Sequence, residues 1–313
     1  MLAAHHSLPG SGLAWNVVDN RDEVKAFLSS RRARISPEQA GLSSYSRNRR
    51  VPGLRRSEVA DLAGVSVEYY AQLERGNLAG ASDSVLDALA RALRLDEAEQ
   101  QHLADLARAA GPGGRARRKP SARQVRPSVT RVLDLMTGIP AFVGNGRGDV
   151  LAANALARAL YAPMFGNSTG TANHARFGFL DPGARTFWRD WDRIASDTVA
   201  MMRTEAGRDP YDKALTDLVG ELCTRSEDFR IRWAAHDVRL HRTGVKQFRH
   251  PVVGDLDLNF ESLQLTEDPG LTMTLLSAPA GSAGDDALRL LASWAATGGG
   301  LPVHPAAVTP PPL

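Results

Sequence analysis

Apolar side chains recur at helical spacing through the first third of the chain. Two such stretches have their apolar positions at Val24, Phe27, Leu28, Val85, Leu86, Leu89, Ala90 and Leu93. Asp96 with Glu99 three residues later is typical of a helix start, and that helix should stop at Gly111. The spacing therefore predicts an all-α bundle of about five short helices over residues 21–111.

The pattern changes character after residue 127. Short apolar runs at 141–144 and 149–153 predict two strands, and alternation over 245–279 predicts an antiparallel meander of three more. Apolar stripes predict a long helix over 184–205, a second over 211–223 and a last one over 285–296. This order of elements favours an α+β domain with helices packed against an antiparallel sheet.

The two predicted domains are separated by a segment with almost no apolar side chains, residues 112–127. It begins after Gly111 with Pro112, a pair that stops helices. Its basic residues are Arg115, Arg117, Arg118, Lys119, Arg123 and Arg126. These residues either contact a polyanion or are simply solvated. The C-terminal domain is expected over 128–296, with disordered tails at 1–20 and 297–313.

Charge is divided unevenly along the 313 residues, although the net charge is only +3. Residues 1–126 carry 20 Lys and Arg against 14 Asp and Glu, whereas 127–313 carry 18 against 21. A basic N-terminal part is compatible with a nucleic acid partner. The single cysteine, Cys223, can form no internal disulfide, and no apolar run is long enough to cross a bilayer. We expect a cytoplasmic, nucleoid-associated protein that does not bind membranes.

Two common enzyme motifs are missing from the sequence. It contains no Walker loop and no H-E-x-x-H. The Gly-rich run at 144–149 lies between two predicted strands, whereas a dinucleotide loop would precede a helix. Neither an enzyme nor a cofactor is expected.

The stretch 56–76, RSEVADLAGVSVEYYAQLERG, has the pattern of a helix-turn-helix. Two short helices crossing steeply need a small residue at the contact and a left-handed residue in the turn, and Ala60 and Gly64 stand there. Ser66 is placed to cap the second helix and Gly76 to end it. The apolar positions that such a pair must bury are Val59, Ala63, Val65, Tyr70 and Leu73. A helical hairpin within any bundle is the alternative, because steric demands at tight crossings are general.

The run GVSVEYYAQLERG resembles the recognition-helix half of Xre/Cro-type repressors, as does its helical context. The resemblance implies that this helix enters the major groove of double-stranded DNA. The residues it implies against base edges are Ser66, Val67, Glu68, Tyr69 and Gln72, and those against phosphates are Arg49, Arg50, Arg55, Arg56, Ser57 and Arg75. The segment 36–55 is longer than in the simplest phage repressors, and is either an arm that touches DNA or a solvated loop.

The second domain resembles the PAS-like ligand-binding domain of actinobacterial MmyB-type regulators. The resemblance lies in residues 230–265 and 277–294. Its signature positions are Trp233, His236, Asp237, Val238, Gly244, Lys246, His250, Pro251, Gly254 and Leu256. A pocket for a small apolar molecule is expected to be lined by Phe187, Trp188, Trp191, Met202, Trp233 and His236, unless these residues are only core. We expect no metal at His236, His241 or His250, since the sequence offers them no tetrahedral ligand set.

These observations together indicate a sequence-specific transcription regulator controlled by a small apolar ligand. One recognition helix reads about half a site, so a homodimer is expected. The alternative is a DNA-binding protein whose second domain binds a protein partner and no small molecule.

Replacing Gln72 by Ala should weaken binding to the preferred operator by about 1–3 kcal/mol and relax the base preference at one position, because a bidentate contact to adenine is lost. Competition anisotropy with single-base operator variants measures both effects. A uniform loss across all operator variants would show that Gln72 does not read a base.

Overall fold

The computed structural model describes residues 20–42, 53–111, 124–166, 170–239 and 242–297. The N-terminal domain is helical throughout its described part. Its helices are α1 (Asn20–Arg34), α2 (Arg56–Ala63), α3 (Val67–Glu74), α4 (Asp83–Ala92) and α5 (Glu97–Ala110). The predicted five-helix bundle is confirmed.

Local capping explains where these helices begin and end. Gly64 takes φ 66° and ends α2 in the left-handed region, and the Ser66 hydroxyl accepts a hydrogen bond from the Tyr69 N–H at 3.1 Å. Asp96 and Glu99 bond each other's backbone N–H groups at the start of α5, at 2.9 and 3.1 Å. The turn between α2 and α3 therefore has the conformation that the sequence pattern predicts.

The C-terminal domain combines a sheet with helices on both of its faces. Its elements are α6 (Pro127–Leu135), β1 (Ala141–Asn145), β2 (Val150–Ala153), α7 (Ala155–Leu160), α8 (Ala162–Gly166), α9 (His174–Leu180), α10 (Ala184–Phe187), α11 (Trp191–Arg208), α12 (Lys213–Arg225), α13 (Glu227–Ala234), β3 (Thr243–His250), β4 (Gly254–Gln264), β5 (Leu271–Ser277) and α14 (Ala283–Ala296). The five strands are ordered β2-β1-β5-β4-β3 and every neighbouring pair is antiparallel. The predicted α+β class and the three-strand meander are confirmed.

The register sends one apolar set to each face of the sheet. On the inner face, Phe142, Phe260 and Leu276 join the large core under α7, α10, α11 and α14. On the outer face, Val143 and Met273 pack against Leu133 of α6. Each face of the sheet therefore has its own apolar core.

The long helix expected over 184–205 is wrong, because the chain breaks between α10 and α11. Trp188 is extended and forms an isolated bridge with Phe248 of β3, and the Arg189 N–H donates to the Gln247 carbonyl at 3.1 Å. The side chain of Asp190 then caps α11. The pairing with β3 lies more than fifty residues away in sequence, so helical periodicity could not reveal it.

The remaining boundaries differ only slightly from the expected ones. The second predicted helix begins at Lys213 because Asp212 caps it, and the last begins at Ala283. Asn20, placed in the predicted tail, already belongs to α1. Residues 37–41 form turns. Most of both predicted tails, the linker residues 112–123 and segment 43–52 lie outside the described residues.

Buried ionic contacts join the two domains. Arg203 of α11 is fully buried, and its guanidinium lies 2.5 and 2.6 Å from the carboxylate oxygens of Glu23 in α1. Val238, which follows α13, is buried in the apolar core of the N-terminal domain. Each domain therefore contributes side chains to the buried contacts of the other domain. No helix of the described residues is long and apolar enough to cross a membrane.

Replacing Glu23 by Gln should destabilise the protein by about 3–5 kcal/mol, because the fully buried guanidinium of Arg203 loses its counter-charge. Chemical denaturation followed by circular dichroism measures the change. Glu227→Gln removes an exposed carboxylate beside Arg230 and is the control, expected within about 0.5 kcal/mol of the parent. Equal losses in the two variants would contradict this role for Glu23.

Candidate functional site

The outer surface of α3 presents a row of exposed side chains. Val67, Glu68 and Gln72 are exposed on this helix, and Arg75 is exposed just after it. Tyr69 is half-buried against the domain core, and Tyr70 points inward and is fully buried. Four of the five predicted base-facing residues therefore lie exposed, with Ser66 at the helix cap, and Tyr69 is only partly accessible.

A buried carboxylate fixes α3 against the two preceding helices. Glu74, which is 2% exposed, accepts from Arg32 of α1 at 2.7 and 3.0 Å and from Nε of Arg56 at the start of α2. Arg32 also donates to the Leu54 carbonyl at 2.9 Å. Because a buried charge must keep its partners, this cluster fixes the orientation of α3 relative to α1 and α2.

The predicted phosphate-binding residues differ in how free their side chains are to contact DNA. Arg55, Ser57 and Arg75 are exposed beside α2 and α3. Arg56 is also exposed, but its guanidinium is engaged by Glu74. Arg49 and Arg50 lie outside the described residues. Arg75 and Arg55 are thus the better probes of phosphate contact.

A partly open chamber of about 920 Å³ lies between the sheet and α11. Its floor is the inner face of the sheet at the end formed by Phe142, Gly144, Lys246, Ser262, Gln264, Thr272 and Thr274. Its roof is one face of α11, formed by Ile194, Asp197, Thr198, Met201, Thr204, Glu205 and Arg208. Such a volume fits a small organic molecule.

Lys246 is the buried cation of this chamber. It occupies an inward position of β3 and is 8% exposed, with Nζ 4.8 Å from the ring centre of Phe260 and 5.7 Å from that of Trp188. Burial lowers the pKa of Lys246 to about 8, a shift that nearby Asp197 opposes and Arg193 reinforces. Among the described residues, no carboxylate lies within ion-pair distance of its ammonium.

His174 lines the chamber near Lys246, and the buried Tyr161 packs against its ring. Burial, and then the charge of Lys246, lower the pKa of His174 to about 3, so its imidazole is neutral. Its ring packs 5.2 Å from Phe142 and 5.2 Å from Tyr161. Within the described part of the chain, His174 Nε2 and the Tyr161 hydroxyl have no hydrogen-bond partner. Because His174 lines the chamber, its Nε2 can bond to a polar group of a bound molecule.

The Gly-rich turn between β1 and β2 is held by a polar network. Asn145 accepts from the backbone N–H groups of Arg147 and Asp149 at 3.0 and 3.2 Å, and Asp149 accepts from the Asn173 amide at 2.8 Å. Arg147 reaches Asp212 at the start of α12, at 2.9 Å. Burial raises the pKa of Asp149, but hydrogen bonds from the Asn145 and Asn173 amides and the Arg147 guanidinium lower it below its usual value. The turn thus connects β1 to β2 and is fixed by contacts to Asn173 and Asp212.

The aromatic residues predicted to line a pocket are mostly placed elsewhere. Only Trp188 faces the chamber. Phe187, Trp191 and Met202 are buried in the cores, since their stripes pack helix against helix. Trp233 and His236 lie at the junction with the N-terminal domain, against Arg203. Lys246 stood among the signature positions of the sequence resemblance, but its neighbours in β3, which alternate only weakly, did not show that it faces a chamber.

The histidines discussed above have structural contacts. His250 is buried, with Nε2 3.1 Å from the Ala159 carbonyl, and its Nδ1 accepts from the Val252 N–H at 3.2 Å. His236 Nδ1 lies 2.9 Å from Arg203 Nη1. His241 lies outside the described residues. The described residues contain no cluster of His, Cys, Asp and Glu able to hold a metal ion.

Comparison with known families divides the chain in the same two parts. Residues 29–103 match a helix-turn-helix domain. Residues 125–291 match the MmyB-like transcription regulator ligand binding domain. A comparison with curated proteins found no match.

Proposed function

Because this chain belongs to the family with an MmyB-like transcription regulator ligand binding domain, we propose that it is a sequence-specific DNA-binding regulator controlled by a small amphipathic molecule bound between its sheet and α11. A helix-turn-helix and a ligand-binding domain make it a DNA-binding transcription regulator. The observation that carries the choice of ligand is the buried Lys246 ammonium facing the chamber.

The exposed face of α3 supports the DNA-reading role. Gln72 offers a bidentate contact to adenine, Glu68 an acceptor for cytosine N4, and Val67 an apolar contact for a thymine methyl. Arg55 and Arg75 flank this face as phosphate contacts. Since α3 reads about half a site, the regulator acts as a homodimer on a two-fold operator.

The full chain should bind DNA from upstream of its own gene at least about a thousandfold more tightly than scrambled DNA. Arg75→Ala should weaken binding to both DNAs and reduce the salt slope by about one, because one phosphate contact is lost. Fluorescence anisotropy over a salt series measures both. Arg230→Ala, which removes an exposed arginine of α13, is the control. Equal affinity for the two DNAs would contradict sequence-specific reading, and equal slopes for the two variants would contradict this DNA face.

The ligand is expected to have an apolar body and an anionic or carbonyl head. The apolar part packs against Phe142, Ile194 and Met201, and the head approaches the Lys246 ammonium. A charge-assisted hydrogen bond in a buried site is among the stronger polar contacts in proteins. The hydroxyls of Ser262 and Thr274, 3.2 Å apart on the chamber floor, provide further polar contacts.

Lys246→Met should weaken binding of the anionic dye bis-ANS about tenfold, because the buried counter-charge is lost. In the parent protein, the affinity for the dye should be high while the Lys246 amine is protonated. It should fall as the pH rises through about 8, the pKa of Lys246 in the protein without dye. Dye fluorescence titrated between about pH 6.5 and about pH 9.5 measures this dependence, since the sulfonate does not titrate there.

Lys213→Met is the matched control, because Lys213 is an exposed lysine paired with Asp217 on α12. It should leave both affinity and pH dependence unchanged. Saturable dye binding that is insensitive to Lys246 would exclude the anionic-head assignment. If the dye does not bind at all and no compound in a broad panel raises the melting temperature, the second domain binds a protein partner instead.

A further inference from the structure

The chamber wall is shared between the two domains. At one end it is completed by α5 of the DNA-binding domain, through Asp105, Arg108 and Ala109. Asp105 is buried and its carboxylate lies 3.4 Å from Nε of Arg208, which lines the same end from α11. A molecule that fills this end therefore contacts both domains at once.

Helix α11 carries two functional faces. The residues that line the chamber, Met201, Thr204, Glu205 and Arg208, recur at three- and four-residue spacing and share one face. Arg203 and Gly207 are four residues apart and form a second face, toward the DNA-binding domain. A shift of α11 at the first face must therefore move the second.

The second face of α11, which bears Arg203 and Gly207, packs tightly against the DNA-binding domain. A Cβ added to Gly207 would lie 2.4 Å from Cε1 of His102 on α5, a ring that is fully buried. One turn earlier along α11, Arg203 binds Glu23 of α1 and lies 2.9 Å from His236 Nδ1. Burial alone would raise the pKa of Glu23, but the Arg203 guanidinium and the nearby imidazoles of His102 and His236 hold it well below its usual value. The carboxylate therefore stays charged and the contact stays ionic.

Arg31 of α1 fixes the same junction from the opposite direction. Its guanidinium donates to the His236 carbonyl at 2.6 Å and pairs with Glu99 of α5 at 2.9 Å. His236 is held at φ 55° in this position. Arg242, before β3, reaches Glu97 at the start of α5 at 3.1 Å. The segment that joins α13 to β3 is thus attached at both ends to helices of the DNA-binding domain, at one end to α1 and at the other to α5.

We propose that α5 of the DNA-binding domain is part of the ligand site, so that ligand binding and docking of the DNA-binding domain are thermodynamically coupled. This inference rests on the proposed function of the chamber. A ligand in contact with both α5 and α11 binds the docked arrangement more tightly than an undocked one, and by reciprocity it stabilises docking. Four of the five predicted base-facing residues remain exposed in the docked arrangement, and Tyr69 is half-buried. The ligand therefore acts by fixing the direction of the recognition helices, and not by uncovering them.

The test compares two glycine variants in the full chain, with bis-ANS as the probe. Gly207→Ala pushes α5 away from α11 and should weaken dye binding about tenfold, within the usual range of coupling between sites. Gly220→Ala, in α12, meets nothing within 4 Å and should leave the affinity unchanged. If folded Gly207→Ala binds the dye within about twofold of the parent, the coupling is refuted.

A second measurement needs no variant. Saturating bis-ANS should slow hydrogen exchange in α5 relative to α4, because stabilised docking protects the helix that forms the junction. Unchanged exchange of α5 while the dye is bound would overturn the inference even if Gly207→Ala fails to fold. Failure of the underlying proposal looks different, because the parent would then not bind the dye, or would bind it independently of Lys246.

Discussion

The contact between the two domains is centred on a fully buried cation, Arg203. A guanidinium removed from water is tolerated only where charge and hydrogen-bond acceptors surround it. Glu23 of α1 supplies the charge, and His236 Nδ1 and the Trp233 carbonyl supply acceptors from the other domain. The Trp233 ring also lies 4.0 Å from this guanidinium. Separating the domains would break these contacts together, so the junction has one favoured arrangement.

That arrangement determines the shape of the chamber. The sheet and α11 form the floor and the roof, but the end is completed only when α5 is docked. The chamber combines apolar side chains, among them Phe142, Ile194 and Met201, with an ammonium that has no carboxylate partner among the described residues, a combination that favours an amphipathic ligand. The recognition helix is positioned by a second buried charge, Glu74, which ties α3 to Arg32 and Arg56. Both functional surfaces are therefore held by ionic contacts between helices.

The two buried carboxylates differ in what they connect. Glu74 lies 42 residues from Arg32 in sequence, and both residues belong to the helix-turn-helix domain. Glu23 is 180 residues from Arg203 and belongs to the junction. The first holds the helices of the helix-turn-helix domain together, and the second joins that domain to the rest of the protein. In the proposed function, a ligand acts on the position of this rigid domain and not on its internal structure.

The sequence by itself determined the elements whose causes are local. The glycine at 64, the cap at Ser66, the capping box at Asp96 and the alternation in β3 and β4 all act within a few residues, so patterns revealed them. Tertiary structure decided what distant residues share: the break at Trp188 made by pairing with β3, the burial of Val238 in the other domain's core, and the closure of the chamber by α5. An apolar stripe states that a face is buried but not against what, and so the predicted pocket aromatics proved to be mainly core and junction residues. Which surface covers each stripe depends on packing between segments far apart in the chain, and helical spacing carries no information about that choice.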